Sequence, residues 1–507
     1  MGEVAVPSDL TVPRRRGEAS VALDRSLLHG LAWTGAAKWC SQALSWASTL
    51  IVARLLTPAD YGLVGMAGIY LGLVTLLAEF GLGTVVVTGR ELRPEQVGQL
   101  NGLSLLLGLA SFLASCAMAI PLGRFFRAPQ LPLVVAALST TFVLSSLKTV
   151  PLALLQRDFR FKALALVDTS QTLVLAVSMI GFALAGFRYW TLVLGGLLGA
   201  LISTGAILKL RHPAFAWPRF RSLKPAMALS SRLIITRLSW YAYSNADFLV
   251  AGRVLGKAAL GFYDFGWTLA NVPVEKVTAL VTQVTPAFFS AVQTELPGMR
   301  RYLLRLTEGI AFVTFPVSLG LVLVAKDFVL LTLGSKWEGT VAPLQLLGAY
   351  AGLRSITPLL PVVLTTIRDS EFVMWNSIAA AIVMPVSFYF AGSRWGIVGL
   401  GMAWVLVYPL IASTLCWRVF RKIELAPRAY FIAVWPALSG TALMAAVVLT
   451  VTAFSDPRWT TGWRLAAQVG AGVITYALAC LVLHRERLKD LYHLVIAARR
   501  GSEPGAQ

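Results

Sequence analysis

Apolar runs of membrane-spanning length recur along the chain, separated by short polar or basic segments. Read against Gly, Pro and charge punctuation, they predict about fourteen membrane-spanning helices. These begin near Leu28, Tyr61, Val97, Leu131, Ala163, Tyr189, Met227, Leu260, Tyr302, Val341, Phe372, Trp395, Arg428 and Trp463. In hydrocarbon every backbone N–H and C=O must find its partner within the chain, so the expected fold class is all-α, a polytopic membrane protein. The seventh and eighth runs carry the weakest hydropathy, because charged residues interrupt them.

The runs contain an internal repeat. Arg54-Leu55-Leu56, followed by Thr57-Pro58-Ala59-Asp60-Tyr61-Gly62, is echoed by Arg253-Val254-Leu255, a short turn, and Leu260-Gly261-Phe262-Tyr263. The offset of roughly 199 residues predicts two related six-helix lobes. The expected division is a tail over 1–27, a first lobe over 28–212, a basic linker over 213–226, a second lobe over 227–422, two further helices over 423–484 and a basic tail over 485–507. The turns around Arg54 and Arg253 read as geometry rather than binding: each Arg ends a span, where it caps carbonyls or snorkels.

Composition agrees with the pattern. The chain has 507 residues, 57% hydrophobic and 13% charged, against about a quarter charged in soluble domains. The net charge of +20 reads as topology rather than as a nucleic-acid footprint. With odd-numbered connections outward, the inward loops and both tails hold about 27 Lys and Arg, the outward loops about 11. Both termini are then expected in the cytoplasm, in a multi-pass inner-membrane protein whose cationic face attracts anionic lipids. Cys40, Cys116, Cys416 and Cys480 stand singly and read as buried thiols, and His29, His212, His484 and His493 fall at helix ends or in loops. Pro273, Pro316, Pro358, Pro361, Pro385, Pro409 and Pro436 are expected kink positions. The basic tail after His484 fits either an interfacial amphipathic helix or a frayed end.

Charges within spans are the informative residues, since each is costly unless it faces water or a partner. Lys38, Glu79, Lys148, Asp168, Arg237, Asp247, Asp264, Glu275, Lys276 and Arg354 lie in the first ten spans, and the interiors of the last four carry essentially none. Helical period groups them. Lys38, Ser41, Gln42, Ser45, Ser48 and Thr49 form one polar face; Asp264, Thr268, Asn271, Glu275, Thr278 and Thr282 form another. Arg237, Tyr241 and Ser244 share a third, with Asp247 about a quarter turn further on. One reading lines a wet cavity between the lobes with these faces. Lys38, Lys148, Arg237 and Arg354 then offer charge to an anionic head group, Gln42, Ser45, Tyr241 and Asn271 complete the polar wall, and Glu79, Asp168, Asp247, Asp264 and Glu275 are candidates for ion coupling. The other reading pairs the same charges across helices, Arg237 with Asp264 for example, as structural glue.

No catalytic, metal or nucleotide motif is present: there is no GxSxG, HExxH or P-loop. The loops are too short for a catalytic domain. A non-enzymatic protein without cofactor or metal is expected, driven by an ion gradient, the membrane potential or the substrate gradient.

Three stretches carry a family resemblance: ARLLTPADYGLVGMA (53–67), VPLALLQRDFRFKALALVDTS (150–170) and NADFLVAGRVLGKAALGFYDFGWTLANVPVEKVT (245–278) followed by VTPAFFSAVQ. The chain resembles the polysaccharide transporter family of lipid-linked oligosaccharide flippases, within the multidrug, oligosaccharidyl-lipid and polysaccharide exporter superfamily. The resemblance implies two six-helix lobes plus two helices. It also implies translocation of polyprenyl-diphosphate-linked sugar units to the periplasmic leaflet by alternating access, for surface or extracellular polysaccharide such as lipopolysaccharide. Expected partners are the lipid-linked oligosaccharide and membrane lipids, with a polysaccharide polymerase and a chain-length regulator as candidates, around a monomeric transport unit. The family supplies no invariant catalytic motif, so the site residues rest on helical faces alone. A cation-coupled drug exporter of the same superfamily and a non-transporting scaffold of polysaccharide assembly are the competing functions.

Overall fold

A computed structural model describes residues 41–79, 82–88, 93–212, 214–218, 238–293, 295–456 and 458–487. Among them there is no strand. The helices in chain order are α1 (41–55), α2 (Pro58–Glu79), α3 (Leu82–Thr88), α4 (Pro94–Phe125), α5 (Leu131–Arg157), α6 (Phe161–Leu184), α7 (Trp190–Leu210), α8 (238–250, ending in a π turn Ala251–Leu255) and α9 (Lys257–Ala291). Then follow α10 (Leu296–Thr332), a 3₁₀ turn Ser335–Thr340, α11 (Val341–Ile356), α12 (Leu359–Thr366), α13 (Ser370–Leu406), α14 (Tyr408–Lys422), α15 (Pro427–Phe454) and α16 (Thr461–Leu483). Among the described residues, 10 segments are able to cross a membrane by length and composition. The difference from the expected fourteen has identifiable sources. The described parts of α1 and α8 are shorter than a span, and α9 carries Asp264, Glu275 and Lys276. Ser370–Lys422 passes as a single segment although Gly396 (φ 62°) breaks it.

Local chemistry sets the ends. α2 starts at a capping box: Thr57 N donates to Asp60 Oδ2 (3.1 Å), Asp60 N donates back to Thr57 Oγ1 (3.3 Å), and Pro58 occupies the first turn, where its missing N–H costs nothing. Several helices stop in one tight turn, a backbone N–H reaching a carbonyl five residues back. Ala128 to Gly123, Arg160 to Leu155, Phe187 to Phe182, Asp369 to Leu364 and Leu425 to Phe420 all do so. Four of these turns place a non-glycine residue at positive φ: Arg127, Phe159, Arg368 and Glu424. The expected proline break in the tenth span falls between α11 and α12, at Thr357-Pro358. In the eleventh, Pro385 stays inside α13 and the sharp turn is taken by Gly396.

α1 to α7 pack together, α4 on α5, α6 on α7, and α2 and α7 on α5. α1 lies against α6, where Ser41 Oγ donates to Thr169 (3.4 Å) and Ser48 Oγ to the Ala176 carbonyl (3.4 Å). Small residues admit these approaches: Gly108 faces Ser146, and Gly195 faces Met179. The segment 214–218 returns to α4, with Ala216 N on the Gly98 carbonyl and Asn101 Nδ2 on the Ala214 carbonyl. A second group forms around α9, α10, α11 and α13, with α15 and α16 docked on α10.

α2 and α9 join the two groups, and the joint is built from the repeat. A methyl on Gly62 would collide with the Lys257 carbonyl, and one on Gly261 with the Pro58 carbonyl. Pro58 and Lys257, and likewise Gly62 and Gly261, are partners at the repeat offset, so the contact is two-fold related and backbone to backbone. Beside it, Trp337 from the turn after α10 is fully buried among Tyr61, Phe262 and Phe265, and its Nε1 donates to the Ala53 carbonyl (2.8 Å). Arg253 stacks on Phe125 (5.2 Å) and Arg54 is exposed, so the repeated Arg positions are peripheral to this joint.

Candidate functional site

α9 presents Trp267, Asn271 and Glu275 at four-residue intervals, which places them on one face. Arg354 of α11 lies across that face. Its guanidinium sits over the Trp267 ring (5.4 Å to the centroid), and Nη1 donates to Asn271 Oδ1 (2.7 Å) and Glu275 Oε1 (3.0 Å). Asn271, 1% exposed, is fixed in turn by its Nδ2 donating to the Trp267 carbonyl (3.1 Å). Arg354 keeps 27% of its side chain accessible and Glu275 54%. The pair therefore sits in the helical bundle with both charges matched and still open to a partner from outside. Arg354, Asn271 and Glu275, all predicted, thus meet at one place. Trp267 was not predicted, because by period it passes for an ordinary apolar position.

Asp247 of α8 takes a different position. It is fully buried: Oδ2 accepts from Tyr263 Oη (2.7 Å) and Trp404 Nε1 (2.8 Å), and Oδ1 from Phe248 N (3.0 Å). Trp404 stacks with Tyr350 (4.5 Å) and Phe388 (5.1 Å), so the carboxyl lies inside an aromatic box linking α8, α9, α11 and α13. Tyr263 and Trp404 are the partners the sequence reading missed. The rule that a buried carboxylate needs donors is the available signal, but Trp404 lies in a stretch without charges, where an indole reads as apolar packing. Asp264 lies half-buried on α9, its Oδ2 near Gly65 of α2, with no ion-pair or hydrogen-bond partner among the described residues.

The remaining predicted residues are dispersed. Lys148 of α5 is half-buried and donates to Ser203 Oγ of α7 (3.2 Å); Asp168 of α6 is exposed. Gln42 and Ser45 are half-buried on α1, whose neighbouring Ser41 and Ser48 are taken up by α6. Tyr241 Oη donates to the Ile69 carbonyl of α2 (2.6 Å) and fills the space left by Gly72. Lys38 and Arg237 lie outside the described residues, as do the side chains of Glu79 and Thr282 and the tail beyond Arg487. Of the thiols, Cys116, Cys416 and Cys480 are free, and Cys40 lies outside the described residues. Two recesses have other walls. One, about 620 Å³, is an open groove along α14 beside Cys416, Trp417 and Arg421. The other, about 80 Å³, is lined by hydroxyls of α2, α4 and α5, including Thr75, Ser145 and Thr149.

Helices without strands among the described residues, with 10 segments long and apolar enough to cross a membrane, define a polytopic membrane protein. A family model described as "Polysaccharide biosynthesis protein" matches residues 51–342. The chain is 24% identical over 428 residues to the lipopolysaccharide biosynthesis protein WzxC of Escherichia coli K12, covering 82% of this chain and 85% of WzxC. It is 25% identical over 470 residues to the teichuronic acid biosynthesis protein TuaB of Bacillus subtilis 168, covering 90% and 95%. Its fold resembles that of the lipid II flippase MurJ, solved in an inward closed conformation, with TM-score 0.72 at 14% identity over 90% of this chain and 100% of that one. The chain therefore belongs to the polysaccharide biosynthesis protein family.

Proposed function

We propose that the protein is a flippase that moves polyprenyl-diphosphate-linked oligosaccharide units from the cytoplasmic to the periplasmic leaflet of the inner membrane by alternating access. The observation that carries this reading within the family is Arg354. Its guanidinium is anchored inside the bundle by Asn271 and Trp267, and it remains accessible. A guanidinium so held suits a diphosphate, to which it gives charge-assisted, paired hydrogen bonds, whereas it repels the organic cations a drug exporter carries. The polyprenyl tail stays in lipid while the charged head and sugars pass through the wet interior. On this reading the chain forms fourteen spans as two six-helix lobes, 28–212 and 227–422, plus two helices over 423–484. Both termini face the cytoplasm, and Lys38, Lys148 and Arg237 add positive charge along the path. Asp264, without a hydrogen-bond or ion-pair partner among the described residues, is the most suitable of the acidic candidates for ion coupling; Asp247 is committed to Tyr263 and Trp404.

Reconstitution with polyprenyl-diphosphate oligosaccharides, read as leaflet exchange with and without a proton gradient, tests the reading. Wild type is expected to exchange at least one such lipid, and Arg354→Gln to lose about tenfold or more of that rate at equal protein level, as for loss of a paired charged contact. No exchange of any candidate by wild type would overturn the flippase reading. Unchanged exchange by Arg354→Gln would remove Arg354 from it.

A further inference from the structure

The contacts of Arg354 are unequal. Asn271 is buried and locked by its own bond to the Trp267 carbonyl, and Trp267 supplies a fixed ring face, so one side of the guanidinium is permanently held. Glu275 is bound through one oxygen to the same Nη1 that Asn271 engages, and more than half of its side chain is accessible. Among the described residues no acceptor meets Nε or Nη2 of Arg354. The guanidinium therefore has a rigid seat, one detachable anion and two unused donor positions.

We propose that Glu275 is a resident counter-ion that competes with the diphosphate of the cargo for Arg354, and so sets how tightly cargo is held and how readily it leaves. This rests on the flippase reading above. A guanidinium inside a membrane bundle is costly when unpaired, and Glu275 removes that cost while the site is empty. An arriving diphosphate offers several oxygens to Nη1, Nη2 and Nε at once. It displaces the single-oxygen contact, and Glu275 swings into accessible space. Departure of the cargo is assisted because the carboxylate takes its place instead of leaving a bare charge. Affinity is then a difference between two anions for one cation, which keeps the site from becoming a trap. In this role Glu275 moves no proton or ion; it acts on release.

The test uses the full chain in nanodiscs of neutral lipid, with farnesyl diphosphate as probe and farnesol as control, read by calorimetry or thermophoresis. Glu275→Gln keeps the shape of the side chain and removes its charge. It is expected to bind farnesyl diphosphate about 1.5-fold to fivefold tighter than wild type, the range for loss of an accessible ion pair. Its leaflet exchange should be slower at saturating cargo. Arg354→Gln should lose binding, and the double variant should match Arg354→Gln rather than the product of the singles. Glu275→Ala, which cannot accept the Arg354 bond, should shift affinity in the same direction. Wild-type binding that is unchanged or weakened in both Glu275 variants overturns the competition alone. Absence of any diphosphate-dependent binding by wild type overturns the cargo reading and the competition together.

Discussion

Asp369 shows how much a single residue contributes at a helix junction. It follows Arg368 (φ 61°) in the turn closing α12. Its carboxylate accepts from Arg418 Nε (2.7 Å) and Nη2 (3.2 Å), with Lys422 at 3.8 Å. The hydrogen bonds from Arg418 hold the Asp369 carboxyl below the ordinary carboxylate range. A carboxyl whose folded pKa is depressed stabilises the fold above its unfolded value, near 3.9, and that contribution is lost as pH falls through the lower folded value. The wild type should therefore be more thermostable than Asp369→Asn at pH 5 to 8, with the gap closing below about pH 4. A gap independent of pH would mean that packing, not charge, holds this turn. At this scale the sequence is readable where period and charge coincide: Asn271 and Glu275 stood out as one stripe. Trp267 and Trp404 did not, because an aromatic ring that seats a guanidinium or donates to a carboxyl looks, in sequence, like any core position.

At the scale of elements, α15 and α16 dock on α10 through polar contacts placed inside the interface. Asp327 of α10 is buried and takes both Nε (2.8 Å) and Nη2 of Arg464 on α16. Gln468 bridges Asp327 (3.1 Å) and Thr452 of α15 (3.0 Å). Removing one partner leaves a buried charge uncompensated, which is the costly way to break such a pair. Arg464→Gln is expected to cost about 2 kcal/mol, below the range for fully buried pairs because Arg464 is partly accessible. Thermal unfolding in detergent measures it, and an unchanged midpoint would show that apolar packing alone seats α16. Sequence reading missed this pair because its members sit at span ends, where charges read as loop charges. Helix ends were blurred for a related reason. The stop signal sought is glycine, yet Arg127, Phe159, Arg368 and Glu424 take the left-handed position. Each strains its backbone by roughly 1–2 kcal/mol, offset by the closing hydrogen bond and the turn it permits.

Over the whole molecule, the feature most legible in sequence was the repeat, and its structural meaning is a joint. Only residues without a side chain permit the approach of Gly62 to Lys257 and of Gly261 to Pro58. An added methyl has backbone on the other side, which cannot rotate away, so Gly62→Ala or Gly261→Ala should cost about 1–3 kcal/mol and loosen this end of the α2–α9 contact. Spin labels at Gln130, which directly precedes α5 and accepts from Lys257 Nζ (3.2 Å), and at Lys336 in the turn after α10, in a background lacking the four native cysteines, report it. Their separation should lengthen or broaden in either alanine variant, and identical distributions would show that the joint yields elsewhere. The count of spans was less legible, since Gly396 bends a continuous apolar segment without any polar break.

The bond from Trp337 to the Ala53 carbonyl spans 284 positions of chain. Helices that enter the membrane in order leave that carbonyl, and the ring cluster around Tyr61, without their partner until the turn after α10 has emerged. The first seven helices are therefore assembled with one end still unsealed. The order of synthesis itself decides that the joint between the two groups closes late, after the repeat's second copy and the turn that follows it are both in place.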